Sequence, residues 1–260
     1  MITISICNQK GGVGKTTTAG ALVNALSLKG YKTLAIDVNA QRNLSQIFNA
    51  STQGITVKDV LLEPVKVKEA IQTTEQGDII AGDKALANID VLQKNNKGKY
   101  NRLKEALSSL EAGYDFCVID TPPLLNTSLI NCLMASDYVV IAAEADIFSI
   151  VAVEDIGENI ADVQENYNKD LKIAGILLTR FTGRASLSKQ LQEAMSEPAK
   201  RIGTKVFKTP VREAVAVRES HIMRQSIYDY APKSNPASDY LAFTEELLTT
   251  IGIKKRGKKK

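Results

Sequence analysis

Two rhythms of apolar and polar positions alternate along this chain. Ile2-Thr3-Ile4-Ser5-Ile6-Cys7 alternates with period two and is rich in β-branched residues, which predicts a strand. Ala19 to Leu28 carries apolar residues at helical spacing. Lys32 to Asp37 reads as a second buried strand, and Tyr114 to Asp120 as another; each delivers a carboxylate at its end. Between them, Thr56 to Leu62 predicts a short capped helix, Gly77 to Ala81 a strand, and Tyr100 to Leu110 a helix. Tyr138 to Ala143 and Leu171 to Leu178 are further strands, separated by a helix-length segment from Ser149 to Tyr167. Asn235 to Ile251 is an amphipathic closing helix. Strands that alternate with helices predict an α/β fold: a doubly wound, mostly parallel sheet flanked by helices, with right-handed crossovers.

The segment joining the first strand to the first helix carries the chemistry. It reads Asn8-Gln9-Lys10-Gly11-Gly12-Val13-Gly14-Lys15-Thr16-Thr17-Thr18. Three glycines let successive N–H groups converge on one anion, and a helix N-terminus adds partial positive charge. Lys15 is placed to reach terminal phosphates, and the Thr16 hydroxyl to ligate Mg²⁺. Gln9 stands where the general phosphate-loop pattern has its first glycine. In open α/β sheets the ligand lies beyond the carboxyl ends of the strands, which puts Asp37 and Asp120 on the same edge as this loop. Pro122-Pro123 breaks any helix after Asp120 and leaves a loop free to respond to a phosphate.

Lys10 makes the loop specific. Lys10-Gly11-Gly12-Val13-Gly14-Lys15-Thr16-Thr17 resembles the deviant Walker A loop of the ParA/MinD family of ATPases, and the preceding Asn8-Gln9 resembles its ParA partition branch. The resemblance runs from residue 2 to about residue 250. It implies a P-loop NTPase fold with ATP and Mg²⁺, and Lys10, Gly11, Gly12, Val13, Gly14, Lys15, Thr16 and Thr17 around the phosphates. In that family the extra lysine, here Lys10, reaches the partner's nucleotide across a homodimer that sandwiches two ATP molecules. Val38 to Asn43 resembles the family's switch I, D-x-D-P-Q-x-N, matching at Asp37, Gln41 and Asn43 but not at Asn39 or Ala40. The family uses the second aspartate to activate water, so the resemblance assigns catalysis to Lys10, Lys15, Asp37 and Asn39. An amide at Asn39 cannot accept a proton, so binding is expected to survive and hydrolysis to be slow. Asp120-Thr121-Pro122-Pro123 resembles switch II, giving a metal set of Thr16, Asp37 and Asp120. Gly175 to Arg180 resembles the family strand whose end packs against the base, and Lys205 to Arg212 the later strand and loop that close over the adenine, with Thr179 and Pro210 as contacts.

At 260 residues the chain suits one P-loop domain, residues 1–253, followed by a basic tail, 254–260. The tail has six positive charges and no acid, and without it the chain carries 27 basic against 29 acidic residues. Residues 1–179 hold 16 basic and 21 acidic residues, whereas 180–233 hold 11 and 5. The partition branch implies nonspecific DNA binding, and this late positive charge supplies the candidates Arg184, Lys189, Arg212, Arg218 and Arg224. No helix-turn-helix precedes the loop, so the resemblance also implies a separate, ParB-like centromere-binding partner. With no leader before the first strand, a cytoplasmic, nucleoid-associated protein is expected. Cys7, Cys117 and Cys132 lie in apolar runs and read as buried thiols. An iron–sulfur carrier built on this loop needs paired exposed cysteines, which this spacing does not provide. The main alternative is a MinD-like membrane-associated ATPase using the closing helix and tail, although Glu245 and Glu246 oppose anionic lipid. A non-hydrolysing DNA clamp is the other. His221, with no partner at metal or nucleophile spacing, is expected at the surface.

Overall fold

The computed structural model describes all residues except 95, 97, 147, 183, 184 and 254–260; side chains at 185–189 and 191 also lie outside the description. Its strands are β1 (Ile2–Cys7), β2 (Thr33–Asp37), β3 (Ile71–Thr74), β4 (Gly77–Ile80), β5 (Phe116–Asp120), β6 (Tyr138–Glu144) and β7 (Lys172–Thr179). The first helices are α1 (Lys15–Leu28), α2 (Asn43–Ile47), α3 (Val57–Leu62), α4 (Val67–Ala70), α5 (Ile89–Leu92) and α6 (Arg102–Ser108). They are followed by α7 (Thr127–Met134), α8 (Phe148–Asn166), α9 (Ala185–Arg201), α10 (Val215–Ile222), α11 (Ile227–Tyr230) and α12 (Asn235–Thr250). The strands form one sheet in the order β3-β4-β2-β5-β1-β6-β7, parallel except for the antiparallel β3–β4 edge.

The predicted doubly wound fold is therefore present, with one addition. Ile71–Thr74 was not anticipated as a strand: a mostly polar edge strand lacks the alternation of a half-buried one. It forms because Gly77, at φ 121°, turns the chain back onto it. In the strand and loop expected over 205–212, the strand pairing is limited to isolated bridges, Ile176 with Val206 and Phe181 with Arg212.

Alternate residues of each central strand feed cores on the two faces of the sheet. Ile4, Ile6 and Val118 pack under α1 and α12, whereas Cys117 and Ile119 pack under α3 and α6. All three cysteines are buried, as expected, and burial pushes the Cys7 thiol up to about 12. On α12, Tyr240, Phe243 and Leu247 are buried against the rest of the core, so that face is not available to a bilayer. Among the described residues, no helix is long and apolar enough to cross a membrane.

β7 approaches the 205–212 segment closely at Gly175. A Cβ there would lie 2.6 Å from Cε2 of Phe207, which is fully buried and packs edge-to-face on Phe243 at 5.0 Å. Gly175→Ala should therefore destabilise the fold by about 1–3 kcal/mol through overpacking. Urea unfolding tests this, and an unchanged midpoint would show that Phe207 can move aside.

Candidate nucleotide site

β1 lies at the point where the winding of the sheet reverses, between β5 and β6, so its carboxyl end opens into a crevice. The loop from Asn8 to Gly14 fills that crevice. Asn8 ties it to the sheet: its Nδ2 donates to the Ala142 carbonyl at 2.7 Å, and its Oδ1 accepts from the Lys10 N–H at 2.9 Å. Gly12 and Gly14 sit at φ 80° and 83°, the left-handed region in which a side chain is strained. The helix begins at Lys15, four residues earlier than its apolar pattern suggests, because Gly14 makes the turn that starts it. Thr179, expected beside the base, also braces the loop. Its hydroxyl lies 2.7 Å from the Val13 carbonyl and 3.2 Å from that of Ala143.

Lys15 is buried, its Nζ donating to the Lys10 carbonyl at 3.3 Å. Desolvation lowers its pKa, so the charged ammonium is held without a full counter-charge. Gly11, Gly12, Gly14, Lys15, Thr16 and Thr17 line one cavity, a concave set of donors suited to a chain of phosphates.

The two carboxylates play different parts. Both oxygens of Asp37 are taken: Oδ1 accepts from the Asn39 N–H at 3.1 Å, and Oδ2 from the Ser45 N–H and hydroxyl at 2.8 and 2.7 Å. Asp37 thus holds switch I in its turn. Asp120 accepts from the Thr16 hydroxyl at 2.7 Å through Oδ2, and its buried Oδ1 has no partner. Burial, and then Asp37 beside it, lift the Asp120 pKa to about 8. A divalent cation beside Thr16 would satisfy that oxygen and relieve that cost, so the donor set fits Mg²⁺. Among the described residues no group of three or more His, Cys, Asp or Glu forms a metal site, so the ion would take its remaining ligands from phosphate and water. When bound, Mg²⁺ would neutralise phosphate charge. Asn39 is buried and lines the phosphate cavity, its Oδ1 accepting from the Gln41 N–H at 3.0 Å.

Lys10 points the other way. Its Nζ is paired with Asp146 at 2.6 Å and Glu144 at 3.2 Å, and its side chain is 29% exposed. Sequence reasoning did not find these acids, which lie more than 130 positions away and follow no motif.

A second cavity runs from the loop past Thr179, Arg180, Val211 and Arg212. Its wall is formed by Val211 and Arg212, the two residues after the expected Pro210. Arg212, another of the DNA candidates, pairs its guanidinium with Asp239 of α12 at 2.6 and 2.9 Å while its side chain stays 44% exposed. Arg218 and Arg224 are exposed, with Arg224 bonded to Asn49. Arg184 and the Lys189 side chain lie outside the described residues. His221 is a correction to the expected surface position, since it is half-buried and lines both cavities.

Comparison with known proteins agrees with this geometry. A family model described as an AAA domain matches residues 1–173. The sporulation initiation inhibitor protein Soj of Bacillus subtilis is 33% identical over 248 residues, covering 94% of this chain and 97% of Soj. The chromosome partitioning protein ParA of Myxococcus xanthus is 32% identical over 249 residues, covering 94% of this chain and 87% of that protein. Among solved structures, cobyrinic acid a,c-diamide synthase from Mycobacterium smegmatis with bound ADP and magnesium superposes with a TM-score of 0.84 at 26% identity, covering 98% and 97% of the two chains. A phosphate loop with one buried and one outward lysine, on this sheet and with these relatives, means that the chain belongs to the ParA/MinD family of P-loop ATPases.

Proposed function

We propose that this protein is a partition ATPase that dimerises around ATP and then holds DNA without regard to sequence. The observation that carries the reading is the opposed placement of the two loop lysines: Lys15 is buried inside the site, while Lys10 stands at its rim beside acids it would leave for a partner's phosphates. Partly exposed ion pairs of this kind contribute about 0–1 kcal/mol, so a charge-assisted contact to phosphate can outcompete them. Leu124 and Leu125, after the switch II prolines, and Phe148 and Val151 of α8 are exposed apolar side chains, which a second subunit would cover. The Soj and ParA relatives favour a ParB-like partner and a cytoplasmic, nucleoid-associated setting. Slow hydrolysis follows from Asn39.

DNA affinity arises from weak phosphate contacts by Arg218, Arg224, Arg184 and Lys189, doubled when ATP joins two subunits. The tail, 254–260, adds basic charge to the same end of the chain. Light scattering and DNA binding measured together test the reading. ATP with Mg²⁺, and not ADP, is expected to give a dimer that binds any duplex. Affinity should fall with salt at a log–log slope of about −0.9 per phosphate neutralised. Lys10→Ala should stay monomeric and lose ATP-dependent DNA binding. A Lys10→Ala protein that dimerises normally, or DNA binding indifferent to ATP, would overturn it.

A further inference from the structure

Two cavities meet on the phosphate loop, and Gly12, Gly14, Thr17 and His221 line both. One runs along switch I past Asn39 and Gln41; the other runs past Thr179 and Arg180 at the end of β7. A nucleotide with its terminal phosphates at Lys15 and Thr16 and its base in the second cavity has to cross that junction. The part that crosses is the link between the phosphate chain and the sugar. Two of the junction residues, Gly12 and Gly14, belong to the loop itself, and Thr17 to the first turn of α1. His221 is the side chain brought there from elsewhere, by α10. The side chain is half-buried and turned toward the cavities, whereas Ile222 after it is 78% exposed. Its imidazole makes no hydrogen bond or ion pair among the described residues, which leaves both ring nitrogens for a ligand.

We propose that His221 is a nucleotide-binding residue that contacts the α-phosphate and ribose, coupling α10 and its exposed Arg218 to the occupied state of the site. This rests on the ATP reading of the cavity. The imidazole suits the position, since it donates to a phosphate or hydroxyl oxygen when neutral and adds a positive charge when protonated. Burial lowers its pKa in the free chain. The charged groups lining the cavities with it are Lys15 of α1, Arg180 at the end of β7, Arg212 and Glu213 before α10, and Arg218 and Arg224 from its own segment. Switch I and the β3–β4 turn present only uncharged side chains there, and Tyr240 of α12 faces it as a neutral phenol. A phosphate placed beside the ring favours its protonated form. The sign of the linkage follows: affinity is weakest above the bound-state pKa, tightens as pH falls, and levels off below the free-state pKa. Each unit of upward shift corresponds to about tenfold in affinity.

The chain has a single histidine, so ring-labelled protein gives one imidazole signal that needs no assignment. That signal is followed by NMR while Mg·ADP is added, between about pH 5.5 and about pH 8, with calorimetry on the same samples. The signal should move saturably with the calorimetric Kd, and its pKa should rise. Because the nucleotide's own phosphate titrates in the same range, the decisive quantity is the difference between wild type and His221→Gln. The variant should bind about 3- to 10-fold more weakly at acid pH and lose the extra pH dependence. His221→Asn, a second neutral variant, should behave in the same way; both should match wild type more closely at the alkaline end, which shows that they are folded. Saturation by calorimetry with an unmoved imidazole signal, or a wild-type pH profile in the variants, would overturn the inference. Wild-type protein that binds no Mg·ADP at any pH would overturn the ATP reading and this inference with it.

Discussion

Asn39→Asp will raise the steady-state ATPase rate by about 10²- to 10⁴-fold, the usual contribution of a positioned general base. Asn39 is 8% exposed, lines the phosphate cavity, and is held in its turn by bonds to Asp37 and Gln41. An aspartate keeps the oxygen that caps Gln41 and replaces the amide nitrogen with a second, charged oxygen able to take a proton from water. The substitution carries a counter-effect that checks the placement. Asp37 and Asp120 already have raised pKa values, from burial and then, for Asp120, from the neighbouring carboxylate. A third acid adds repulsion, so the variant without Mg²⁺ should lose stability relative to wild type as pH rises and regain it with Mg·ATP. Phosphate release at saturating Mg·ATP is the measurement. Equal turnover by the two proteins would place the chemistry on another group.

Lys15→Ala will weaken Mg·ATP binding by roughly 30-fold to several thousand-fold, the range for removing one partner of a buried charge pair. Its effect on the free protein should have the opposite sign. Burial lowers the Lys15 pKa, so below its ordinary value of 10.5 the charged form costs the folded chain stability. Removing it should leave the nucleotide-free protein as stable as wild type or more so, while the stabilisation by Mg·ATP disappears. Thermal unfolding with and without nucleotide separates the two effects. A variant that is destabilised alike in both conditions would mean that Lys15 supports the loop rather than the ligand.

Much of the site is local in the chain, and that part was legible. Asn8 to Thr18 specifies a strand end, a left-handed turn at Gly12 and Gly14, and a helix start within a few residues, because backbone preference and spacing act over that distance. Asp37 and Asp120 were placed on one edge because a parallel strand presents its carboxyl end to the same side as its neighbours, and the two residues are register partners between β2 and β5. The edge strand Ile71–Thr74 was not legible, since its four residues carry no apolar rhythm and depend on β4 for every pairing. Nor was the use made of individual side chains. A count of basic residues treats Arg212 and Arg218 alike, and both are exposed, yet Asp239 of α12 is ion-paired with the first. Thr179 braces Val13 from 166 positions away, Lys10 meets its acids from 134 and 136, and His221 reaches the loop only because α10 packs beside α1. The sequence by itself determined the phosphate loop, the strand-end carboxylates and the family they imply, for each is written in contiguous residues. Which oxygens are already satisfied, which cations are already paired, and which side chain stands at the junction of the two cavities were decided by tertiary packing, because contacts between distant segments exist only once the sheet has brought its strand ends together.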